Sequence, residues 1–273
     1  MRMDFKLPII AVIGNKKTGK TTLVELLARA FTGDGLRVAT AKHVSSKNFS
    51  LDRKGTDTWR HYHAGVKKVI SVSNTEIAVL IRDYANKFSL KTLEGFTNET
   101  DILLLEGFSE YVAKSPYIGK IICIKNEREI KIFRTMIDRE IIAFCSLNSI
   151  KCDEVLVIDK DKEVLAENAL SFFSKRREIL KILNSLPRMD CRKCVYQTCE
   201  RMAIAIYNKE VELDDCDILL NRERTKITIE VSGEEIPLNP FASNMVYEVT
   251  MGMLKTLKRS SIEGKKRVLI KVA

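Results

Sequence analysis

Gly14-Asn15-Lys16-Lys17-Thr18-Gly19-Lys20-Thr21-Thr22 has the form GxxxxGK[ST]. Its flanks match what that pattern requires. Leu7 to Ile13 is a short apolar run with the character of a buried strand. Leu23, Leu26, Leu27, Ala30 and Phe31 then recur at helical spacing. Strand, glycine loop and helix together wrap a phosphate chain, because the loop amides converge on oxygens and the helix N-terminus favours negative charge. In that arrangement Lys20 reaches the β/γ-phosphates and the Thr21 hydroxyl holds Mg²⁺. A plain glycine turn between strand and helix is the competing reading, and the complete motif in this context disfavours it.

Elements on either side extend the pattern. The first helix spans about 20–33, and Gly33-Asp34-Gly35 closes it. Strands are expected at 36–41, 66–72, 77–81, 102–105, 118–124 and 154–158. Helical periodicity fills about 56–64, 86–95, 127–147 and 162–184. Strands alternating with helices predict an α/β fold, a phosphate-loop NTPase type of mostly parallel sheet with flanking helices. Leu186-Pro187 marks a boundary. It gives a nucleotide-binding domain over 1–187 and a small α+β domain over 188–273. In the second, a helix is expected at 199–208, a strand at 227–231, a helix at about 240–258 and a last strand at 268–272.

Composition limits the function classes. The chain has 273 residues, 45% of them hydrophobic, enough for a sizeable core. No stretch has the length and apolarity of a membrane span, and the N-terminus lacks a secretory pattern, so a cytoplasmic protein is expected. The net charge of +10 divides as +2 over 188–273 and +8 over the rest. No dense basic run and no interleaving of basic and aromatic residues occurs, which disfavours nucleic acid as a partner.

Ligands of open parallel sheets sit beyond the carboxyl ends of the strands. Lys42 and His43 fall at such an end. Asp57, Arg60 and His61 share a helical face farther on. They form either a polar wall that senses phosphate or a solvated amphipathic helix anchored by Trp59. Asp101-Ile102-Leu103-Leu104-Leu105-Glu106-Gly107-Phe108 is a buried strand with a carboxylate at each end, roughly 16 Å apart. Only one can reach a magnesium ion at Thr21. Glu106, at the carboxyl end, is the candidate for polarising a magnesium-bound water or acting as base. Gly107 lets the backbone pass close to the γ-phosphate, and Asp101 is expected to be a cap or a surface residue.

Four ordered blocks, GNKKTGKTTL, AKH, DRKGTDTWRHYHAG and DILLLEGF, resemble the molybdopterin-guanine dinucleotide biosynthesis adaptor family of MobB type over roughly residues 7–170. The resemblance implies a phosphate-loop GTPase-like fold, usually dimeric. It implies a role in attaching a guanine nucleotide to molybdopterin, with weak GTP hydrolysis. By position, Gly14, Asn15, Lys16, Lys17, Thr18, Gly19, Lys20, Thr21 and Thr22 would bind phosphates. Lys42, His43, Asp52, Asp57 and Arg60 would line the adjoining pocket, and Glu106-Gly107 would complete the magnesium side. No NKxD-type guanine reader follows the later strands, so the preference for GTP rests on the resemblance.

Seven cysteines are present. Cys123, Cys145 and Cys152 lie in apolar or mixed contexts and read as small core residues. Cys191, Cys194, Cys199 and Cys216 cluster as C-x2-C-x4-C-x16-C. Four thiolates can hold a [4Fe–4S] cluster or, as the lesser possibility, Zn²⁺. The run CRKCVYQTCERMA resembles the four-cysteine iron–sulfur module of corrinoid and acetyl-CoA-pathway proteins, with Val195 where that module often has glycine.

The leading expectation is a GTP-binding accessory protein of molybdenum or tungsten cofactor biosynthesis. Its partner would be molybdopterin or a molybdopterin-processing enzyme, and it would form a homodimer. The alternative is a nucleotide-gated iron–sulfur metallochaperone or electron donor for a corrinoid or nickel system.

Overall fold

The computed structural model describes residues 6–46, 49–82, 88–137, 139–220, 227–238, 240–255 and 268–272. The chain separates into two compact units, Met1–Arg176 and Arg177–Ala273.

The first unit is built on a six-stranded sheet of order β2-β5-β1-β6-β7-β8. These strands are β1 (Ile9–Gly14), β2 (Val38–Lys42), β5 (Ile102–Glu106), β6 (Gly119–Cys123), β7 (Ile141–Ser146) and β8 (Val155–Val157). All the pairings are parallel. The apolar run of β1 is buried on both faces, as a central parallel strand requires. Ile10 and Val12 pack on one side with Leu23, Leu27 and Phe31 of α1 (Lys20–Gly33) and with Phe173 of α5 (Lys162–Ser185). Ile9, Ala11 and Ile13 pack on the other with Ile130 and Phe133 of α4 (Arg128–Met136). Period-two alternation in the strand thus supplies two cores, and each fully buried Leu or Phe in them contributes about 1.5–3 kcal/mol.

Three expectations are corrected. The 127–147 stretch is not one helix: α4 ends at Met136, and Ile141–Ser146 is strand β7. The β-branched and aromatic run Ile141-Ile142-Ala143-Phe144 joins the sheet beside β6, where tertiary pairing outweighs helical periodicity. The strands expected at 66–72 and 77–81 do form, as β3 (Lys68–Val72) and β4 (Ile77–Ile81), but outside the main sheet. They pair antiparallel as a separate hairpin, because only a short turn around Ser73–Glu76 connects them. Ile70, Val72, Ile77 and Val79 share one exposed face of that hairpin. The helix expected at 86–95 is a 3₁₀ turn over Leu90–Phe96 in its described part; residues 83–87 lie outside the described residues.

Helix α2 (Asp57–His63) starts at Thr56, whose hydroxyl accepts from the Trp59 amide. Asp52 braces this start. Its Oδ1 accepts from the Thr56 and Thr58 hydroxyls at 2.7 and 2.8 Å and from the Arg53 amide at 2.9 Å. Its Oδ2 pairs with Arg82, whose guanidinium lies 4.3 Å over the Tyr62 ring.

The second unit holds α6 (Cys199–Tyr207), α7 (Asp217–Leu220), α8 (Pro240–Lys255) and a three-stranded sheet of order β10-β9-β11. Its strands are β9 (Ile227–Val231), β10 (Glu234–Ile236) and β11 (Val268–Val272). The short β10, absent from the sequence reading, folds back on β9 through Ser232-Gly233. The expected extension of α8 to residue 258 lies outside the described residues. Among the described residues no helix is long and apolar enough to cross a membrane.

The Thr56 hydroxyl, with Thr58, Arg53 and Arg82 adding to it, holds the Asp52 carboxyl below the usual carboxylate range. A depressed folded pKa contributes stability that is complete above the ordinary carboxylate range and lost as pH falls through the lower folded value. Asp52→Asn is therefore expected to lower the urea midpoint most near about pH 7, with the gap to the wild type narrowing as pH falls below the ordinary carboxylate value of about 3.9. A gap that stays constant over that range contradicts the assignment.

Candidate functional site

The loop between β1 and α1 closes because two glycines occupy positions closed to other residues. A Cβ at Gly14, φ +144°, would stand 2.1 Å from the Cys123 carbonyl oxygen. A Cβ at Gly19, φ +89°, would meet Leu147 and Ile158 at 2.7 and 2.8 Å. Between them Lys17 adopts φ +59°, Thr18 is buried with its hydroxyl on the Asn15 carbonyl, and Lys20 Nζ donates to that same carbonyl at 2.6 Å. Glu129 of α4, which sequence reasoning missed, steadies the rim. Its carboxylate accepts from Asn15 Nδ2 and from the Lys125 amide, each at 2.9 Å.

Sheet register brings the acid to the loop. Glu106 is aligned with Val12 on one side and Lys42 on the other, so three strand ends meet at one level. The Thr21 hydroxyl donates to Glu106 Oε1 at 2.8 Å, Lys42 Nζ lies 2.7 Å from the same oxygen, and it lies 3.4 Å from the Thr21 hydroxyl. The His43 amide donates to the Glu106 carbonyl at 2.9 Å. A cavity of about 660 Å³ opens here, lined by the loop from Gly14 to Thr22 apart from Asn15, by Lys42 to Ser45, and by Glu106 to Tyr111.

The donor set fits Mg²⁺. A hydroxyl and a carboxylate are hard oxygen ligands, and adjacent ligands of an octahedral site with bonds of about 2.1 Å lie about 3 Å apart. The Thr21–Glu106 separation matches that spacing. Lys42 holds the same carboxylate oxygen, so its ammonium must move aside for a divalent ion.

The other expected pocket residues are placed elsewhere. Asp52, Asp57 and Arg60 are not among those lining the cavity. Asp52 braces α2, and Asp57 pairs with Arg60 at 3.5 Å on an exposed face. Trp59 stacks on His63 at 3.6 Å rather than anchoring a core. Asp101 makes a two-pronged pair with Arg37 at 3.0 and 3.1 Å, far down β5 from the loop. Phe108 and Tyr111, which do line the cavity, were missed. Their signal was their position directly after Glu106-Gly107.

In the second unit Cys191, Cys194, Cys199 and Cys216 line one small cavity. Cys199 and Cys216 are buried and the other two half-buried. The neighbouring backbone is unusual: Arg188, Asp190, Arg192 and Gln197 all have left-handed φ. Asp190 Oδ1 accepts from the Cys199 amide at 2.9 Å, and burial chiefly raises the Cys199 thiol. Four soft sulfur donors around one cavity suit iron–sulfur or zinc chemistry. Among the described residues, however, no three His, Cys, Asp or Glu side chains are grouped as a finished metal site. Cys123 and Cys145 are buried neighbours in the first sheet, 3.5 Å apart at sulfur, and the hydrogen bond that the Cys123 thiol makes to Cys145, aided by burial, pushes the Cys123 thiol well up.

Comparison with known proteins agrees with this geometry. Residues 9–147 match the family model of molybdopterin guanine dinucleotide synthesis protein B, MobB. Residues 186–218 match a model described as "Putative Fe-S cluster". A Methanocaldococcus jannaschii protein named "Putative molybdopterin-guanine dinucleotide biosynthesis adapter protein" is 26% identical over 266 residues, 97% of each chain. The Escherichia coli molybdopterin-guanine dinucleotide biosynthesis adapter protein is 26% identical over 62% of this chain and 95% of its own. The crystal structure of Bacillus subtilis MobB covers 61% of this chain and 98% of its own, with 22% identity and a TM-score of 0.47. With the phosphate loop, the facing acid and over half its length in the matched region, the chain belongs to the MobB family.

Proposed function

We propose that this protein is an adapter of molybdopterin guanine dinucleotide biosynthesis that binds Mg·GTP in the first unit, hydrolyses it slowly, and carries a [4Fe–4S] cluster in a four-cysteine domain over 188–273. The observation that carries the reading is the Thr21–Glu106 contact of 2.8 Å at the foot of the phosphate loop. A hydroxyl and a facing acid at that spacing suit a phosphate-bound divalent ion. Bound Mg²⁺ would neutralise charge on the β- and γ-phosphates.

Each residue has a role. Lys20 exchanges its bond to the Asn15 carbonyl for phosphate oxygens. The loop amides from Lys16 to Thr22 orient the chain, and Gly14 and Gly19 keep its floor open. Glu106 holds the metal side with Thr21 and orients or deprotonates the attacking water. Lys42, displaced from Glu106, remains close enough to offset phosphate charge. No arginine finger is identified among the cavity-lining residues. Unaided GTPases of this kind turn over on the order of 10⁻⁴ to 10⁻² s⁻¹, a rate suited to an adapter that changes state rather than to a bulk hydrolase. Guanine selectivity follows the family. The relatives' names support a partner in molybdopterin-guanine dinucleotide biosynthesis, and our reading takes that partner to be molybdopterin or an enzyme that processes it.

The cluster would be held by Cys191, Cys194, Cys199 and Cys216. It would cross-link a unit whose own core is small, or supply a one-electron couple. A homodimer is supported by the apolar face of the β3–β4 hairpin, where Ile70, Val72 and Ile77 are each more than half exposed.

Three measurements test the proposal. Calorimetry is expected to show saturable Mg·GTP binding that Lys20→Ala abolishes; wild-type binding no better than that of the variant refutes it. Anaerobically purified protein is expected to be brown, with about four irons per chain and charge-transfer absorption lost in the quadruple Cys→Ser variant; a colourless protein with one zinc overturns the cluster. Sedimentation is expected to find a dimer that Val72→Asp with Ile77→Lys converts to a folded monomer; a variant that remains dimeric removes the hairpin from the interface.

A further inference from the structure

The wall of the cavity beyond Glu106 is aromatic, and phosphate binding does not use it. His43 and Tyr111 both line the cavity, and both are exposed. Their ring centroids are 5.9 Å apart with planes at 65°. Phe108 backs them, 5 % exposed, with its centroid 5.3 Å from His43 and 6.0 Å from Tyr111. Phe88 meets Tyr111 edge-on at 5.3 Å. Phe108 is held at φ +61°, an outlying conformation for a bulky residue. The strain is sustained by its packing against these rings.

Two rings at 65° cannot sandwich a ligand. They make a corner: a planar ring stacked on one presents its edge to the other. Ser45, Ser109 and Glu110 line the same cavity, Glu110 directly preceding Tyr111 in the chain. A carboxylate in the same cavity as a stacking face matches a heterocycle whose edge carries two adjacent N–H donors, the 2-amino-4-oxo pattern shared by pterins and guanine. Lys16 and Lys17 in the same cavity suit an anionic tail on that ligand.

Position decides between the two rings. Thr21 and Glu106 mark the magnesium end of the phosphate chain, and the corner adjoins that end. A Cβ on Gly107 would lie 3.4 Å from the His43 Cβ, and the His43 amide is bonded to Glu106. A nucleotide whose terminal phosphates lie at Lys20 and Thr21 carries its base away from that end. The corner therefore faces the place where a second substrate meets the terminal phosphate.

We propose that His43 and Tyr111, with the Glu110 carboxylate at the edge, form a binding site for a 2-amino-4-oxo-pteridine ring, occupied together with the nucleotide. The proposal rests on the reading that the phosphate loop holds a triphosphate.

The full-length protein is loaded with Mg²⁺ and a saturating non-hydrolysable GTP analogue, then titrated against fluorescent 6-carboxypterin. Saturable quenching is expected with nucleotide in place. Tyr111→Ala is expected to weaken it by about tenfold or more, and Tyr111→Phe to keep it within about threefold. Wild-type protein is expected to prefer 6-carboxypterin to 6-carboxylumazine, which lacks the 2-amino group, and Glu110→Gln to lose that preference. Displacement of the pterin by the nucleotide overturns the proposal, since the corner then takes the base. So does equal pterin affinity in wild type and a folded Tyr111→Ala. Should that variant not fold, Glu110→Gln decides, and unchanged affinity and preference there overturn the proposal. Wild-type protein that binds Mg·GTP but no pterin refutes this site alone, whereas failure to bind Mg·GTP refutes the reading beneath it.

Discussion

At the start of the phosphate loop the backbone passes so close to strand β6 that a single carbon atom on Gly14 would lie 2.1 Å from the Cys123 carbonyl oxygen. This approach sets the floor of the site. It turns the chain sharply out of β1 and fixes where α1 begins. Gly19 makes the same demand at the other end of the loop, against Leu147 and Ile158 at the ends of β7 and β8. The loop is thus clamped by the carboxyl ends of β6, β7 and β8 on one side. Glu106 of β5 and Lys42 of β2 approach from the other. Because all six strands are parallel, every one of these groups emerges at the same edge.

The electrostatics follow from that convergence. Glu106 is only 12% exposed and shares its Oε1 between an ammonium and a hydroxyl. A carboxylate in that position needs cationic or hydrogen-bonding partners, because burying it alone is costly. Lys42 supplies one partner within the protein, and a divalent ion is the natural competitor for the same oxygen. Elsewhere in the first unit, Asp52 is satisfied in the same way, by hydroxyls at the start of α2 and by Arg82 just after β4.

The second unit follows different physics. Its described strands are few and its sheet has three, so burial alone stabilises it weakly. Four cysteines line one cavity there, and the backbone is left-handed at Arg188, Asp190, Arg192 and Gln197. Similarity to the Methanocaldococcus jannaschii relative extends over 97% of the chain, so it spans both the phosphate-loop unit and the four-cysteine unit of this protein.

Much of the fold was legible along the chain. The phosphate-loop motif, the apolar β1 run and the periodicity of α1 are local patterns, and each determines its element without reference to distant residues. Glu106 was legible because only one end of a buried strand can face the loop. The 127–147 stretch misled because Ile141–Cys145 satisfies helical spacing by itself and becomes a strand only by pairing with β6. Likewise β3 and β4 had the composition of sheet strands, but their short connection made them a hairpin. Asp52, Asp57 and Arg60 sit near the pocket residues in sequence yet do not line the cavity, since Asp52 is taken up by the start of α2 and Asp57 pairs with Arg60. The sequence by itself determined the loop, its lysine and hydroxyl, and the cysteine quartet, because close chemical spacing needs no tertiary context. Only the tertiary structure decided that Lys42 pairs with Glu106 and that His43 and Tyr111 share a corner, because those meetings depend on the register of parallel strands that are far apart in the chain.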